Sequence, residues 1–238
     1  MFQIAIKEFK NFFNDLIGIS FLISFFLLTG FFTWYFEGNI LDFGYAELDI
    51  FFSIVPWFFI ILNPALGMKL VGEEYEKKTI NLLLVQNFSK IEIILGKLLG
   101  GIFLISICLL ISIIYVISVG YLGNPPFNFD FSIIIGQYFG ILLLNFVLLL
   151  VSFIGCFMAK KQSLGFILGL IFSFLIWEVP SLLEGISLFK ILNLGDNSPL
   201  AHFNNITRGF LSYTDFGYFL GLILILFGLC IQLFKPSN

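Results

Sequence analysis

Residues 69–97 read KLVGEEYEKKTINLLLVQNFSKIEIILGK, and they decide how this chain is organised. They hold nine of the 27 acidic and basic side chains in the 238-residue sequence. The apolar runs on either side, 50–68 and 98–122, hold none. A helix of about 20 apolar residues is long enough to cross the roughly 30 Å hydrocarbon core of a membrane. The sequence therefore predicts a charged loop between two membrane-spanning helices.

The composition of the whole chain indicates an integral membrane protein. Hydrophobic residues make up 59% of it and only 11% are charged, which leaves too few polar side chains to cover a soluble globule. None of the apolar runs alternates with polar residues as the strands of a transmembrane barrel do, so we predict one all-α, polytopic domain over residues 1–238. The fifth run is short, and its far end can extend past Glu178 toward Leu183. The predicted spans are residues 16–36, 50–68, 98–122, 131–159, 162–177 and 216–234.

The basic residues predict an orientation, because Lys and Arg near the ends of spans are retained on the cytoplasmic side. Ten of the 12 fall in segments on one side of the predicted membrane, and only Lys190 and Arg208 fall on the other. Both termini are then cytoplasmic, and the first span, which has no small-residue cleavage site, is retained. The outward loops are residues 37–49, 123–130 and 178–215.

The spans as bounded here contain no Asp, Glu, Lys, Arg or His. Carriers driven by an ion gradient need such groups near the bilayer midplane, so we expect the energy for any transport to enter through a partner. A net charge of −3 without a basic stripe gives no indication of nucleic-acid binding. Cys108, Cys156 and Cys230 fall inside spans at a spacing that matches no metal site, and we expect them to pack as small apolar residues.

The charged loop has internal order. Its acids precede its bases, which favours a helix with i,i+4 pairs from Glu73 to Lys77 and from Glu74 to Lys78. Residues 79–85, TINLLLV, are apolar but too short to span a membrane. Such a segment either lies in the membrane interface as an anchor or docks into a groove on another protein, and both readings stay open.

The third spanning helix has its own start signal. Ser89 with Glu92 three residues later is a capping box, and the apolar run follows it. The loop is therefore predicted as a helix end, a short transverse helix, a turn over residues 86–88, and a new helix.

The N-terminal residues predict an amphipathic helix in the cytoplasmic interface. Its apolar positions, which recur at helical spacing, are Phe2, Ile6, Phe9 and Phe13. It can serve as a simple anchor or as a mechanical part, and the sequence favours neither.

The predicted outward segment at 178–215 is too apolar for a free loop. Ser198 can cap a helix whose first residue is Pro199. His202 and Arg208 would lie outside its apolar face, near each other or near lipid head groups, and His202 has too few partners for a metal site. That apolar face would consist of Leu200, Phe203, Thr207 and Phe210.

Residues 56–100 resemble the second span, coupling segment and third span of ABC-2 type transporter permeases. In that family a Glu-Glu pair, a Thr, a Leu-Leu pair and a Gly-Lys recur in this order. The corresponding residues here are Glu73-Glu74, Thr79, Leu82-Leu83 and Gly96-Lys97. Further likenesses are Gly136-Gln137-Tyr138-Phe139-Gly140, Lys161-Gln162, Pro199-Leu200-Ala201-His202-Phe203 and Arg208-Gly209. Over nearly its whole length the chain is most similar to the gliding-motility-associated permeases of Bacteroidota.

The resemblance implies a permease subunit that pairs with a second permease subunit, as a homodimer or heterodimer, in the bacterial inner membrane. Two soluble ATPase subunits would bind ATP and Mg²⁺. This chain itself would bind no cofactor, because the glycines nearest a phosphate-binding pattern, Gly67 and Gly72, are followed by two carboxylates and not by Lys and Ser or Thr. The implied ATPase-coupling residues are Glu73, Glu74, Lys78, Thr79, Leu82, Leu83 and Val85. The resemblance also implies a re-entrant external gate with residues Pro199, His202, Phe203, Arg208 and Gly209.

Two other functional classes stay open at this point. A membrane scaffold of a motility or secretion machine would bind a soluble component without transporting anything. A stand-alone channel or carrier would need no partner, and the charge-free spans argue against it.

Overall fold

A computed structural model describes residues 1–43, 47–86, 88–184, 195–208 and 212–235, apart from the side chains of Phe43 and Glu184. This part of the chain is helical without a β-strand, which confirms the all-α prediction. The first five helices are α1 (Phe2–Asn14), α2 (Leu16–Trp34), α3 (Ile40–Phe43), α4 (Asp49–Gly67) and α5 (Glu73–Glu76). The others are α6 (Ile80–Val85), α7 (Lys90–Leu122), α8 (Phe131–Ala159), α9 (Gln162–Glu184), α10 (Pro199–Thr207) and α11 (Tyr213–Leu233).

Six helices in the described residues are long and apolar enough to cross a membrane, as predicted. One of them combines α4, a π-helical turn over Met68–Gly72 and α5 into 28 continuous residues. The others are α2, α7, α8, α9 and α11.

Several helices extend beyond the predicted spans. The charged stretch is mostly helical, since the second spanning helix runs to Glu76 and the third begins at Lys90. The fifth continues past Trp177 to Glu184, an extension that the sequence allowed, and the sixth begins at Tyr213. Hydropathy locates the apolar part of a helix, whereas the backbone hydrogen bonds continue into the polar turns beyond it.

Helix α8 forms the centre of the bundle, in contact with α4, α7, α9, α10 and α11. In its most apolar window, 78% of the residues are buried inside the protein, against 17% for both α9 and α11. A helix that is apolar on every side belongs in the interior, whereas α9 and α11 have few fully buried residues.

Glycines allow α8 and α9 to approach closely. A Cβ atom added at Gly155 would lie 2.6 Å from the backbone nitrogen of Gly169. Gly96 and Gly100 of α7 make a similar approach to Ile4 and Glu8 of α1. Small residues at these positions bring backbones together in membranes, where no hydrophobic force joins helices.

Gly155→Ala should therefore destabilise the bundle, because the added methyl group meets backbone that cannot rotate away. We expect a loss of about 1–3 kcal/mol, typical of overpacked cores. Gly221→Ala in α11 is the matched control, since no atom lies within 4 Å of its added Cβ. Thermal unfolding in detergent measures both, and equal melting temperatures would contradict the packing described here.

Helix α1 has two apolar faces. Ile4, Ala5 and Phe12 are buried, and the helix packs mainly against α7. Most of the predicted apolar stripe faces away from the protein, with Phe2 64% and Ile6 49% exposed, whereas Phe9 packs beside Phe103 of α7. The stripe is thus placed to contact lipid while the other face holds the helix to the bundle.

Candidate functional site

The coupling segment, defined here as residues 73–85, consists of α5, a tight turn and α6. Lys78 lies two residues after the end of α5 with a left-handed backbone, φ 56°, and its amide donates to the carbonyl of Tyr75. Thr79 follows, and its hydroxyl lies 3.5 Å from the carbonyl oxygen of Glu74. Lys78 therefore reverses the chain, and the predicted short transverse helix begins directly after the turn, at Ile80.

Helix α6 separates its apolar side chains onto two faces. Ile80 is fully buried and Leu83 is 8% exposed, so these two hold the helix to the bundle. Leu82 and Val85 are 62% and 79% exposed. Of the residues predicted for ATPase coupling, Leu82 and Val85 thus form an outer apolar surface, whereas Leu83 is a packing residue.

Glu73 lies between two lysines of its own helix. Its carboxylate is 2.6 Å from Lys69 Nζ and also pairs with Lys77, which agrees with the predicted i,i+4 pair. Lys69 Nζ lies 2.5 Å from Asp15 Oδ2, in the link between α1 and α2.

Glu74 does not pair with Lys78 as predicted, because the turn at Lys78 breaks the helical register. Its carboxylate lies 2.8 Å from Lys97 Nζ, on α7. Lys97 is 2% exposed and also lies 3.0 Å from Glu8 Oε1 of α1. Its third contact is the carbonyl of Leu70 in the π-helical turn, at 2.5 Å.

The coupling segment also touches the ends of α9 and α11. Glu76 Oε2 accepts from the backbone amide of Gln162, at 3.0 Å, where α9 begins. Tyr75 Oη donates to the carbonyl of Lys235, at 2.7 Å, just beyond the end of α11. The coupling segment therefore contacts the start of α9 and the residues just beyond α11 directly.

Most of the predicted external-gate residues lie at the other end of the bundle. Ser198 caps α10 and Pro199 is its first residue, as predicted. Phe203 is buried beside Trp177, with ring centroids 5.5 Å apart, and Arg208 is exposed. Gly209 and Phe210 lie outside the described residues.

His202 contacts α11 and not Arg208 or a free surface, so that expectation is wrong. Its Nδ1 lies 2.5 Å from Asp215 Oδ1, and its ring stacks on Tyr218 with centroids 4.0 Å apart. Asn205 Nδ2 approaches the same carboxylate oxygen at 3.4 Å. This pair fixes α10 to the start of α11, whereas no group of three His, Cys, Asp or Glu side chains in the described residues could hold a metal ion.

The family model for ABC-2 family transporter proteins matches residues 2–237. The chain belongs to the ABC-2 transporter family. No curated protein sequence matches it. The protein is thus a multi-pass membrane protein and a permease subunit of an ABC transporter, not itself an ATPase. The resemblance to ABC-2 permeases is confirmed, and the finer likeness to gliding-motility permeases stays a prediction.

Sequence reasoning missed several residues that position the coupling segment of this ABC-2 permease. The lipid-facing stripe of α1 gives no indication of Glu8, although Glu8 lies four residues from both Ile4 and Phe12, on the buried face. The sequence indicates Lys97 only through the Gly-Lys pattern and gives no sign of its buried ion pairs. Asp15 carried no local signal, because its partner Lys69 is distant in sequence. Lys69 lies four residues before Glu73, and this helical spacing could have indicated it.

Proposed function

We propose that this permease subunit couples ATP hydrolysis in a separate soluble ATPase subunit to movement of its own spanning helices, with α6 as the contact. The outer surface of α6 carries this proposal. Leu82 and Val85 are largely exposed at a charged end of the bundle, beside the exposed side chains of Lys77 and Lys78. An apolar helix face within a polar rim is typical of helix-in-groove recognition.

The charged end that carries the coupling segment is proposed to face the cytoplasm, with both termini on that side of a bacterial inner membrane. The basic residues support this orientation, because Lys69, Lys77, Lys78, Lys90 and Lys97 all belong to the two helices that meet there or to the turn between them.

ATP and Mg²⁺ are assigned to the partner. Gly67 ends α4 and Gly72 lies in the π-helical turn, and both are buried. A phosphate-binding loop needs exposed backbone amides and a Lys, whereas here the backbone is helical and two carboxylates follow.

A second permease subunit, in a homodimer or heterodimer, and membrane lipid are the proposed neighbours of α9 and α11, whose apolar windows are only 17% buried. The proposed output is export or mechanical work across the membrane, and gliding motility is one candidate for it.

Purification in a mild detergent tests the proposed function. We expect a soluble chain with a nucleotide-binding site to co-purify, and ATP hydrolysis to occur in that complex but not in the permease alone. A soluble partner without ATP hydrolysis would indicate a scaffold instead. Flux into liposomes that contain only this chain would indicate a stand-alone channel or carrier.

A further inference from the structure

Two lysines each join the N-terminal segment to one member of the Glu73–Glu74 pair. Lys69 Nζ lies 2.5 Å from Asp15 and 2.6 Å from Glu73. Lys97 Nζ lies 3.0 Å from Glu8 and 2.8 Å from Glu74. Glu73 is thus connected through Lys69 to Asp15, in the link between α1 and α2. Glu74 is connected through Lys97 to Glu8, in α1. We name these six residues the elbow clamp: Glu8, Asp15, Lys69, Glu73, Glu74 and Lys97.

The two halves of the clamp differ in burial, and therefore in how much each contributes to stability. Asp15 keeps 45% of its side chain exposed, and ion pairs this open contribute little to stability. The side chains of Glu8, Glu74 and Lys97 are 11%, 16% and 2% exposed. Removing one partner from such a buried group leaves an uncompensated charge, which is strongly destabilising. The half centred on Lys97 is therefore the rigid one.

The backbone around Lys97 is shaped to receive α1. A Cβ atom added at Gly100 would lie 2.9 Å from Glu8 Cβ, and one added at Gly96 would lie 2.8 Å from Ile4 Cβ. The two glycines bring α1 against α7 on either side of Lys97, which puts the Glu8 carboxylate within reach of the ammonium group.

Glu73 and Glu74 are accordingly engaged inside the protein, and the surface offered to a partner is the neighbouring α6. A force applied to α6 would be transmitted to α5 through the turn at Lys78. From α5 it would be transmitted to α1 through Lys97. A helix that only anchored the chain in lipid would need its exposed apolar stripe but no buried ion pairs to the coupling segment.

We propose that α1 is a moving part of the coupling machinery, held by the elbow clamp so that it follows the coupling segment, and that Glu8 and Lys97 are its positioning residues. This inference rests on the proposed function, since the force originates in the ATPase. The proposal assigns Glu74 to the transmission of force within the permease, and not to contact with the ATPase.

Glu8→Leu tests the proposal in the complex of the full-length permease with the ATPase that co-purifies with it. Leucine keeps the carbon atoms that pack on Gly100 and removes the carboxylate. Hydrogen exchange of the amides of residues 2–14 should accelerate at least about tenfold, because one partner of a buried ion pair is lost. The ATPase should still bind, whereas the change in its hydrolysis rate caused by the permease should fall at least about fivefold, the lower end of typical coupling between sites.

Glu8→Gln keeps a hydrogen-bond acceptor for Lys97, so both of its measured values should lie between those of wild type and Glu8→Leu. It replaces the leucine variant in the test if that variant fails to fold. Lys7→Met is the matched control, because Lys7 is exposed on the same helix and should change neither measurement. Unchanged amide exchange in both Glu8 variants would overturn the clamp. Faster exchange with a full ATPase response would overturn the moving-part role and leave α1 a passive anchor. A wild-type permease that captures no ATPase would instead refute the proposed function, and the coupling role of α1 with it.

Discussion

Leu82→Asp is expected to prevent the soluble ATPase from co-purifying while the permease stays folded. Leu82 is 62% exposed, so a carboxylate there is solvated in the free permease. In the complex the same carboxylate would be buried in an apolar groove without a partner. Loss of a central apolar contact at an interface costs 2 kcal/mol or more, which is an affinity loss of at least about 30-fold.

Two comparisons make the Leu82 result specific to docking. Leu41→Asp, on the short helix α3, changes a leucine that is 61% exposed outside the coupling segment and should leave the ATPase bound. Leu83→Asp places a carboxylate where the side chain is only 8% exposed and should lower the melting temperature of the permease alone. Full ATPase recovery with Leu82→Asp, at wild-type yield and melting temperature, would eliminate α6 as the contact.

Lys97→Met should cause the largest loss of stability among the single substitutions considered. The change keeps most of the side-chain volume but removes the positive charge between Glu8 and Glu74, and it also removes the donor to the Leu70 carbonyl. Two carboxylates are then left buried without compensation. Breaking a buried ion group in this way costs about 3–5 kcal/mol. Thermal unfolding of the purified permease measures the effect.

The triple variant Lys97→Met, Glu8→Leu, Glu74→Leu separates the effect of these residues on stability from their effect on the ATPase response. Apolar replacement of a complete buried ion group is often neutral or stabilising, so its melting temperature should return toward that of the wild type. The response of the ATPase to the permease should not return, because the polar connection from α5 to α1 is gone. A triple variant as unstable as Lys97→Met would show that the loss does not arise from uncompensated charge.

Local patterns predicted much of the architecture. The Ser89 capping box and the Ser198–Pro199 helix start occur as expected, because a cap depends on residues within one turn of each other. The number of spanning helices also followed from the sequence, since each apolar run must satisfy its own backbone in lipid. Helix ends were less predictable, as α11 shows: it begins at Tyr213, three residues before the predicted start of the sixth span.

The candidate site likewise has features that the sequence predicted and features that it did not. The apolar segment at 79–85 could be recognised as a docking or interfacial helix, because it is too short to span and lies among charges. Which leucine is exposed could not be predicted, since Leu82 and Leu83 are adjacent and the rotation of α6 is set by the bundle beneath it. His202 likewise carried no sign of its contact with Asp215, because the residues between them had first to fold back.

The sequence by itself determined the class of protein, the number of candidate membrane-spanning helices and the position of the short helix α6, because hydropathy and capping act over a few neighbouring residues. Only the tertiary structure decided what the charges do. Glu74 pairs with Lys97, and Lys97 with Glu8, across separations of 23 and 89 positions in the sequence. Long-range ion pairs depend on how helices pack, and here that packing pairs Glu74 and Glu8 with the same buried lysine inside the protein.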